Sequence, residues 1–213
     1  MIRILIADDH TIMREGLKRI LDGNEDIVVV GEAVDGFDTL EKVRSTSFDV
    51  LLMDLSMPGR SGVDLIRQIK EEFPKLPILI LTMHEEEQYA VRAIRAGARG
   101  YLTKESAGTQ LVTALHKVAS GRPYISIEVA EQLAMNAMPA DDSLPHLSLS
   151  DREFEVFSHL VKGRTITEIA ELLHLSVKTV STHKMRIMQK MKMHTLSDLV
   201  QYAVAHNLLV PAV

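Results

Sequence analysis

Residues 2–10 read Ile-Arg-Ile-Leu-Ile-Ala-Asp-Asp-His, six mostly apolar residues that end in two carboxylates and an imidazole. A run this short and rich in Ile and Leu suits a strand buried on both faces. Residues 27–31, 50–53, 78–81 and 100–102 repeat the pattern. Helical spacing fills the gaps between them. Ile12, Met13, Leu17, Ile20 and Leu21 are expected on one helix face that stops near Gly23. Leu65, Ile66, Ile69 and Phe73 form a second face ending at Pro74, and Leu111, Leu115 and Val118 a third ending at Gly121. Five strands alternating with five helices predict an α/β doubly wound domain with a five-stranded parallel sheet.

The 213 residues leave room for a second, smaller domain. With 46% hydrophobic and 25% charged residues, the composition excludes a wholly disordered chain. No apolar run is long enough to span a bilayer, and the opening residues lack a signal-peptide pattern. Without cysteine there is no disulfide framework and no Cys-type metal site. The expectation is a cytoplasmic protein without membrane contact. Residues 138–145, Met-Pro-Ala-Asp-Asp-Ser-Leu-Pro, read as a linker after a helix-like stretch beginning at Ile127. Beyond it the pattern is purely helical, opening with a capping box from Ser150 to Glu153. The organisation is therefore 1–120, an extra helix and linker over 121–146, and a small all-α four-helix domain over 147–213.

In open parallel sheets, ligands bind beyond the carboxyl ends of the strands. At those ends stand Asp8 and Asp9, then Asp54, then Thr82, then Tyr101 with Lys104. Singly, each aspartate is equally well explained as a helix start or a turn. Together, converging carboxylates would repel one another unless a cation sat among them. Hard oxygen ligands with room for water suit Mg²⁺. Metal, the Lys104 ammonium and the Thr82 hydroxyl would then neutralise a transferring phosphoryl group, with a carboxylate as nucleophile.

Asp8-Asp9, Asp54 in Asp-Leu-Ser-Met-Pro-Gly, Thr82 and Lys104 resemble the receiver domain of bacterial two-component response regulators. The resemblance covers residues 1–120 and implies a flavodoxin-like strand order, 2-1-3-4-5. It implies that Asp54 accepts a phosphoryl group from a histidine kinase. It further implies Mg²⁺ on Asp9, Asp54 and the main-chain carbonyl of Ser56, with Asp8 holding the metal or a metal-bound water. Thr82 and Tyr101 match the family's switch pair. Catalysis would be confined to slow self-phosphorylation and autodephosphorylation. One position departs from the usual pattern: the residue after Thr82 is commonly small, and here it is Met83.

Charge points to a second partner. The net charge is −5, yet residues 147–213 hold 8 basic against 6 acidic residues, and 176–192 hold five basic residues and no acid. A single basic stripe fits an element that touches phosphates. Helices near 166–174 and 177–191, separated by Leu175-Ser176, make a helix-turn-helix. Val180, His183, Ile187 and Met191 should pack inward. Lys178, Ser181, Thr182, Met185 and Gln189 lie opposite, available to base edges with Thr179, while Lys184, Lys190 and Lys192 suit phosphates. Leu149-Ser150-x-x-Glu153-x-Glu155-Val156, Gly163, Thr167-x-Ile169-Ala170, Leu173, Ser176-Val177-Lys178-Thr179-Val180 and His183 resemble the LuxR-type DNA-binding domain. The whole chain thus resembles the NarL/FixJ group of response regulators. That implies double-stranded DNA carrying an inverted repeat as partner, and a homodimer when phosphorylated or DNA-bound. Two alternatives stay open: a Mg²⁺-dependent phosphohydrolase with an aspartyl nucleophile, and an interaction module without a DNA role. The first usually carries Asp-x-Asp on its opening strand, not adjacent aspartates.

The nine histidines show no zinc-type spacing, and Met185, Met188, Met191 and Met193 read as core and groove fillers.

Overall fold

The structure is a computed structural model and describes residues 1–58, 62–83, 87–135, 144–206 and 208. Most of the expected linker lies outside the described residues. The chain divides into two compact units, Met1–Met135 and Asn136–Val213.

The first unit runs β1 (Ile2–Ala7), α1 (Thr11–Asp22), β2 (Ile27–Ala33), α2 (Gly36–Ser45), β3 (Val50–Met53), α3 (Gly62–Glu72), β4 (Ile78–Thr82), α4 (Glu87–Arg95), β5 (Gly100–Thr103), α5 (Ala107–Ala119) and α6 (Ile127–Met135). All strand pairs are parallel, in the order β2-β1-β3-β4-β5. Alternate side chains of each central strand enter opposite layers, as the period of two demands. Leu5, Leu51, Met53, Ile78 and Ile80 meet α2, α3 and α4 through Leu40, Val43, Leu65, Ile66, Ile69 and Ala93. Ile4, Ile6, Val50, Leu52, Leu79 and Leu81 meet α1 and α5 through Leu17, Leu21, Leu111, Leu115 and Val118. Truncating a wholly buried residue such as Leu52 to Ala should cost roughly 2–5 kcal/mol.

One expectation on α1 fails. Ile12 is 89% exposed, while Arg14 is buried with Leu17 and Leu21. Positions 14, 17 and 21 follow the helical repeat, so the inner face is shifted from the one the apolar residues suggest. An arginine occupies its first place, for a reason found at the sheet edge.

The chain after α5 does not leave the first unit at residue 120. Tyr124 pairs with Gly100 beside β5, and Tyr101 N donates to Tyr124 O at 2.9 Å. Helix α6 then lies on α4, where Val129 joins Ala90 and Val91, with Tyr101, Ile125 and Leu133 around them.

The second unit is helical throughout its described residues: a 3-10 turn (Pro145–Ser148), α7 (Asp151–Val161), α8 (Ile166–Leu172), α9 (Val177–Met191) and α10 (Leu196–Ala205). Three helices begin in reciprocal capping boxes, Ser150 with Glu153, Thr165 with Glu168 and Thr195 with Asp198. Phe154, Phe157, Leu160, Ile169, Val180, Ile187, Met191 and Leu199 are buried. No helix among the described residues is long and apolar enough to cross a membrane.

Candidate functional site

Register builds the acidic pocket. Ala7 pairs with Met53, so Asp8 and Asp54 leave adjacent strands side by side, and Asp54 N donates to Ala7 O at 2.8 Å. Thr82 pairs with Thr103, and Lys104 N donates to Thr82 O at 2.8 Å. Beyond Asp54 the loop turns tightly: Ser56 N donates to Asp54 Oδ1 at 3.1 Å. The first residue of α3 closes against it, since a Cβ on Gly62 would lie 2.5 Å from Leu55 O. Only glycine fits that approach.

Lys104 Nζ lies 2.7 Å from Oδ2 of both Asp54 and Asp8. All three residues are buried, as is Thr82. Burial works against the ammonium charge. The charge of Asp54, with hydrogen bonds to Asp54 and Asp8, outweighs it and holds the Lys104 pKa above its ordinary 10.5. The lysine is therefore a fixed cation in the pocket. Asp9 and His10 complete the rim, with His10 Nδ1 at 3.0 Å from Asp9 Oδ1 and 3.3 Å from Asp8 Oδ1. One ligand atom each from Asp8, Asp9, His10 and Asp54 lies within 4.8 Å of the others. Asp9 Oδ1 is enclosed and makes no hydrogen bond among the described residues. Three carboxylates and one unsatisfied oxygen suit a hard divalent cation, so the residues fit Mg²⁺.

In the second unit, Ser176 caps α9 by accepting from Thr179 N at 3.0 Å. His174, at φ 51°, makes the turn after α8, and Leu175 N returns to Ala170 O at 2.8 Å. Lys178, Ser181, Met185, Gln189 and Lys192 are exposed along one side of α9; Thr179, Thr182 and Lys184 are half-buried at its margin. Lys190 stands apart, with Nζ 2.6 Å from Oε2 of the buried Glu153 and 3.3 Å from Ser148 O.

Two family models match the two units. That of the response regulator receiver domain covers residues 4–116, and that of bacterial regulatory proteins of the luxR family covers 147–203. Response regulator UvrY of Escherichia coli K12 is 38% identical over 209 residues, spanning 98% of this chain and 96% of that protein. Oxygen regulatory protein NreC of Staphylococcus haemolyticus is 41% identical over 214 residues, spanning 97% and 99%. RcsB of Salmonella enterica serovar Typhimurium, solved on the promoter rprA with the phosphomimetic BeF₃⁻, superposes with a TM-score of 0.64 at 30% identity, covering 96% of this chain and all of that one. The chain is a response regulator. It belongs to the NarL/FixJ type, a receiver joined to a luxR-family domain, and its activity is phosphorylation-controlled regulation of transcription.

Within this response regulator the structure gathers Asp8, Asp9, Asp54, Thr82 and Lys104 at one sheet edge. Tyr101 lies on β5, half-buried against both α4 and α6. Met83, the residue after Thr82, is 65% exposed. Two participants were not read from the sequence. Arg14 hides inside α1, and Glu153 was read as a cap although it also holds Lys190, 37 residues away. Local spacing carries no sign of so distant a partner.

Proposed function

We propose that Asp54 is the phosphoacceptor, and that its modification by a histidine kinase controls binding of α9 to an inverted repeat in double-stranded DNA. The observation that carries this reading is the Lys104 ammonium bridging Asp54 and Asp8 at the strand ends. Asp54 attacks the phosphorus of a phosphohistidine; the new P–O bond forms as the P–N bond breaks, and the imidazole leaves with the electron pair and takes a proton. Asp8, Asp9, Asp54 and the Ser56 carbonyl would hold Mg²⁺, which when bound supplies positive charge for the phosphoryl oxygens. Lys104 is already desolvated and charged, so it meets a second set of those oxygens without reorganisation. Thr82 engages the acyl phosphate, and Tyr101 follows it inward. The same site accounts for slow self-phosphorylation from small acyl phosphates and slow autodephosphorylation.

We read 1–120 as the receiver, 121–146 as the extra helix and linker, and 147–213 as the DNA-binding domain. Lys178, Thr179, Ser181, Thr182 and Met185 face base edges; Lys184 and Lys192 meet phosphates. Lys190 reaches the DNA only if it leaves Glu153, so its first role is to hold α9 on α7. A homodimer pairs two such helices on the two halves of the repeat. The test is labelling from a radioactive acyl phosphate in Mg²⁺. Asp54→Asn should abolish it, and full labelling of that variant would sink the assignment.

A further inference from the structure

Arg14 is an arginine on the inner face of α1, whose other buried residues are Leu17 and Leu21. Its side chain is 10% exposed, and each nitrogen of the guanidinium has a partner. Nε donates to Glu32 Oε2 on β2 at 2.9 Å, Nη2 to Thr11 Oγ1 at 3.4 Å, and Nη1 to the main-chain oxygen of Asp8 at 2.7 Å. That last partner is the informative one. Asp8 follows the final residue of β1, so its carbonyl has left the sheet ladder while remaining buried. A buried carbonyl needs a donor. Arg14 supplies it from beneath.

The consequence reaches the pocket through one peptide plane. The Asp8 carbonyl and the Asp9 N–H share that plane, because the peptide bond is rigid. The residue is also held from behind, Asp8 N donating to Ala33 O at 3.1 Å. With both ends of Asp8 fixed, the direction in which Asp9 leaves the backbone is set. Glu32 anchors the guanidinium in turn, and its other oxygen takes Lys18 Nζ at 2.8 Å.

We propose that Arg14 is a positioning residue for the metal: by holding the Asp8 carbonyl it aims Asp9 at the cation site. The inference rests on the reading of Asp8 and Asp9 as Mg²⁺ ligands. It differs from a structural role in two measurable ways. Removing a positive charge near a cation site would, on Coulomb grounds alone, tighten cation binding; loss of positioning weakens it. Mg²⁺ also demands near-ideal octahedral geometry, whereas Ca²⁺ tolerates irregular ligand sets. A misaimed Asp9 therefore penalises Mg²⁺ more than Ca²⁺.

The experiment is calorimetric titration of the full chain with Mg²⁺ alone and with Ca²⁺ alone, for wild type, Arg14→Met and Glu32→Ala. Arg14→Met should weaken Mg²⁺ about tenfold and Ca²⁺ less than threefold; Glu32→Ala, which frees the guanidinium without removing it, should weaken Mg²⁺ about threefold. Circular dichroism establishes that each variant is folded. If Arg14→Met does not fold, Glu32→Ala decides the matter by the ratio of its Mg²⁺ and Ca²⁺ losses, because removing a carboxylate charge would by itself weaken both ions alike. Unchanged or tighter Mg²⁺ binding in a folded variant overturns the proposal, as does an equal loss for both ions. A wild type that fails to bind Mg²⁺ overturns the reading beneath it as well, and so is distinguishable from failure of the Arg14 role alone.

Discussion

Lys104 Nζ and Asp54 Oδ2 lie 2.7 Å apart in a pocket that excludes nearly all solvent at both residues. A buried pair of this kind is costly to break, because removing one partner strands the other charge. Here Lys104 also faces Asp8, so its loss strands two carboxylates. Lys104→Met should lower the unfolding free energy by about 3 kcal/mol in the presence of a chelator. Millimolar Mg²⁺ should restore much of that, since a cation that binds only the folded state stabilises it. Urea titrations with and without Mg²⁺ measure both effects; an equal loss in the two conditions would count against a metal among these carboxylates.

Asp9 separates charge from fold. Its Oδ1 makes no hydrogen bond among the described residues and has only the His10 ring nitrogen close by at 3.0 Å, so truncation removes repulsion and little structural contact. Asp9→Ala should leave the thermal midpoint in chelator unchanged or slightly raised, while Mg²⁺ affinity and the rate of phosphorylation both fall. Unaltered Mg²⁺ affinity would remove Asp9 from the ligand set.

The sheet, its five helices and the carboxylates at the strand ends were legible because period-two and period-3.6 patterns are local, and Asp8, Asp54 and Lys104 follow the last apolar residue of their strands. The α9 face was legible for the same reason: Val180, Ile187 and Met191 are buried as their spacing requires. Arg14 and Ile12 were not, because a charged residue enters a core only where distant partners compensate it, and Glu32 is 18 positions away. Likewise α6 scans as a helix, yet nothing in its own residues says that α4 is what it covers.

The lysines of α9 should divide into two kinds. Each phosphate contact contributes about 0.9 to the slope of log affinity against log salt concentration. Lys184→Ala and Lys192→Ala should each lower that slope by roughly this amount on any sequence. Lys190→Ala should weaken binding with little change of slope, because its ammonium is already neutralised by Glu153 at 2.6 Å. A slope reduced by about 0.9 in Lys190→Ala would mean that the lysine leaves Glu153 for a phosphate.

His183 gives the second unit a pH dependence. Burial foremost, then the nearby Arg152 and, more weakly, Arg186, push its pKa below the ordinary 6.5, against the smaller pull of Glu153 and Glu155. Its Nδ1 is enclosed without a hydrogen-bond partner among the described residues. The unfolded chain therefore takes up a proton at a higher pH than the folded one. Stability from the neutral imidazole is complete above 6.5 and declines as pH falls from there through the lowered folded value. The urea midpoint of α9 resonances should drop between pH 7.5 and 5.5, and His183→Asn should flatten that decline. An identical slope in the variant would assign it to another group.

Tyr101 stands on β5 and packs at the end of the first unit. Its ring packs with Val129, Ile125 and Leu133 around Ala90 and Val91, so the residue matched to the switch also forms part of the seat of α6. Helix α6 has nine residues, and a helix of that length is marginal in water without tertiary contacts. An inward swing of Tyr101 on phosphorylation would withdraw the ring from this cluster, and a helix that loses its seat should melt locally. Amide exchange over 127–135 should then accelerate on treatment with an acyl phosphate in Mg²⁺, and Tyr101→Ala should accelerate it without phosphorylation. Val129→Asp should do the same more strongly, because it buries an unpaired carboxylate at a position only 4% exposed. Asp54→Asn should abolish the response to the donor but leave the effect of Val129→Asp intact. Exchange over α6 that rises in Val129→Asp yet ignores both Tyr101→Ala and phosphorylation would leave the helix docked on α4 and detach it from the switch.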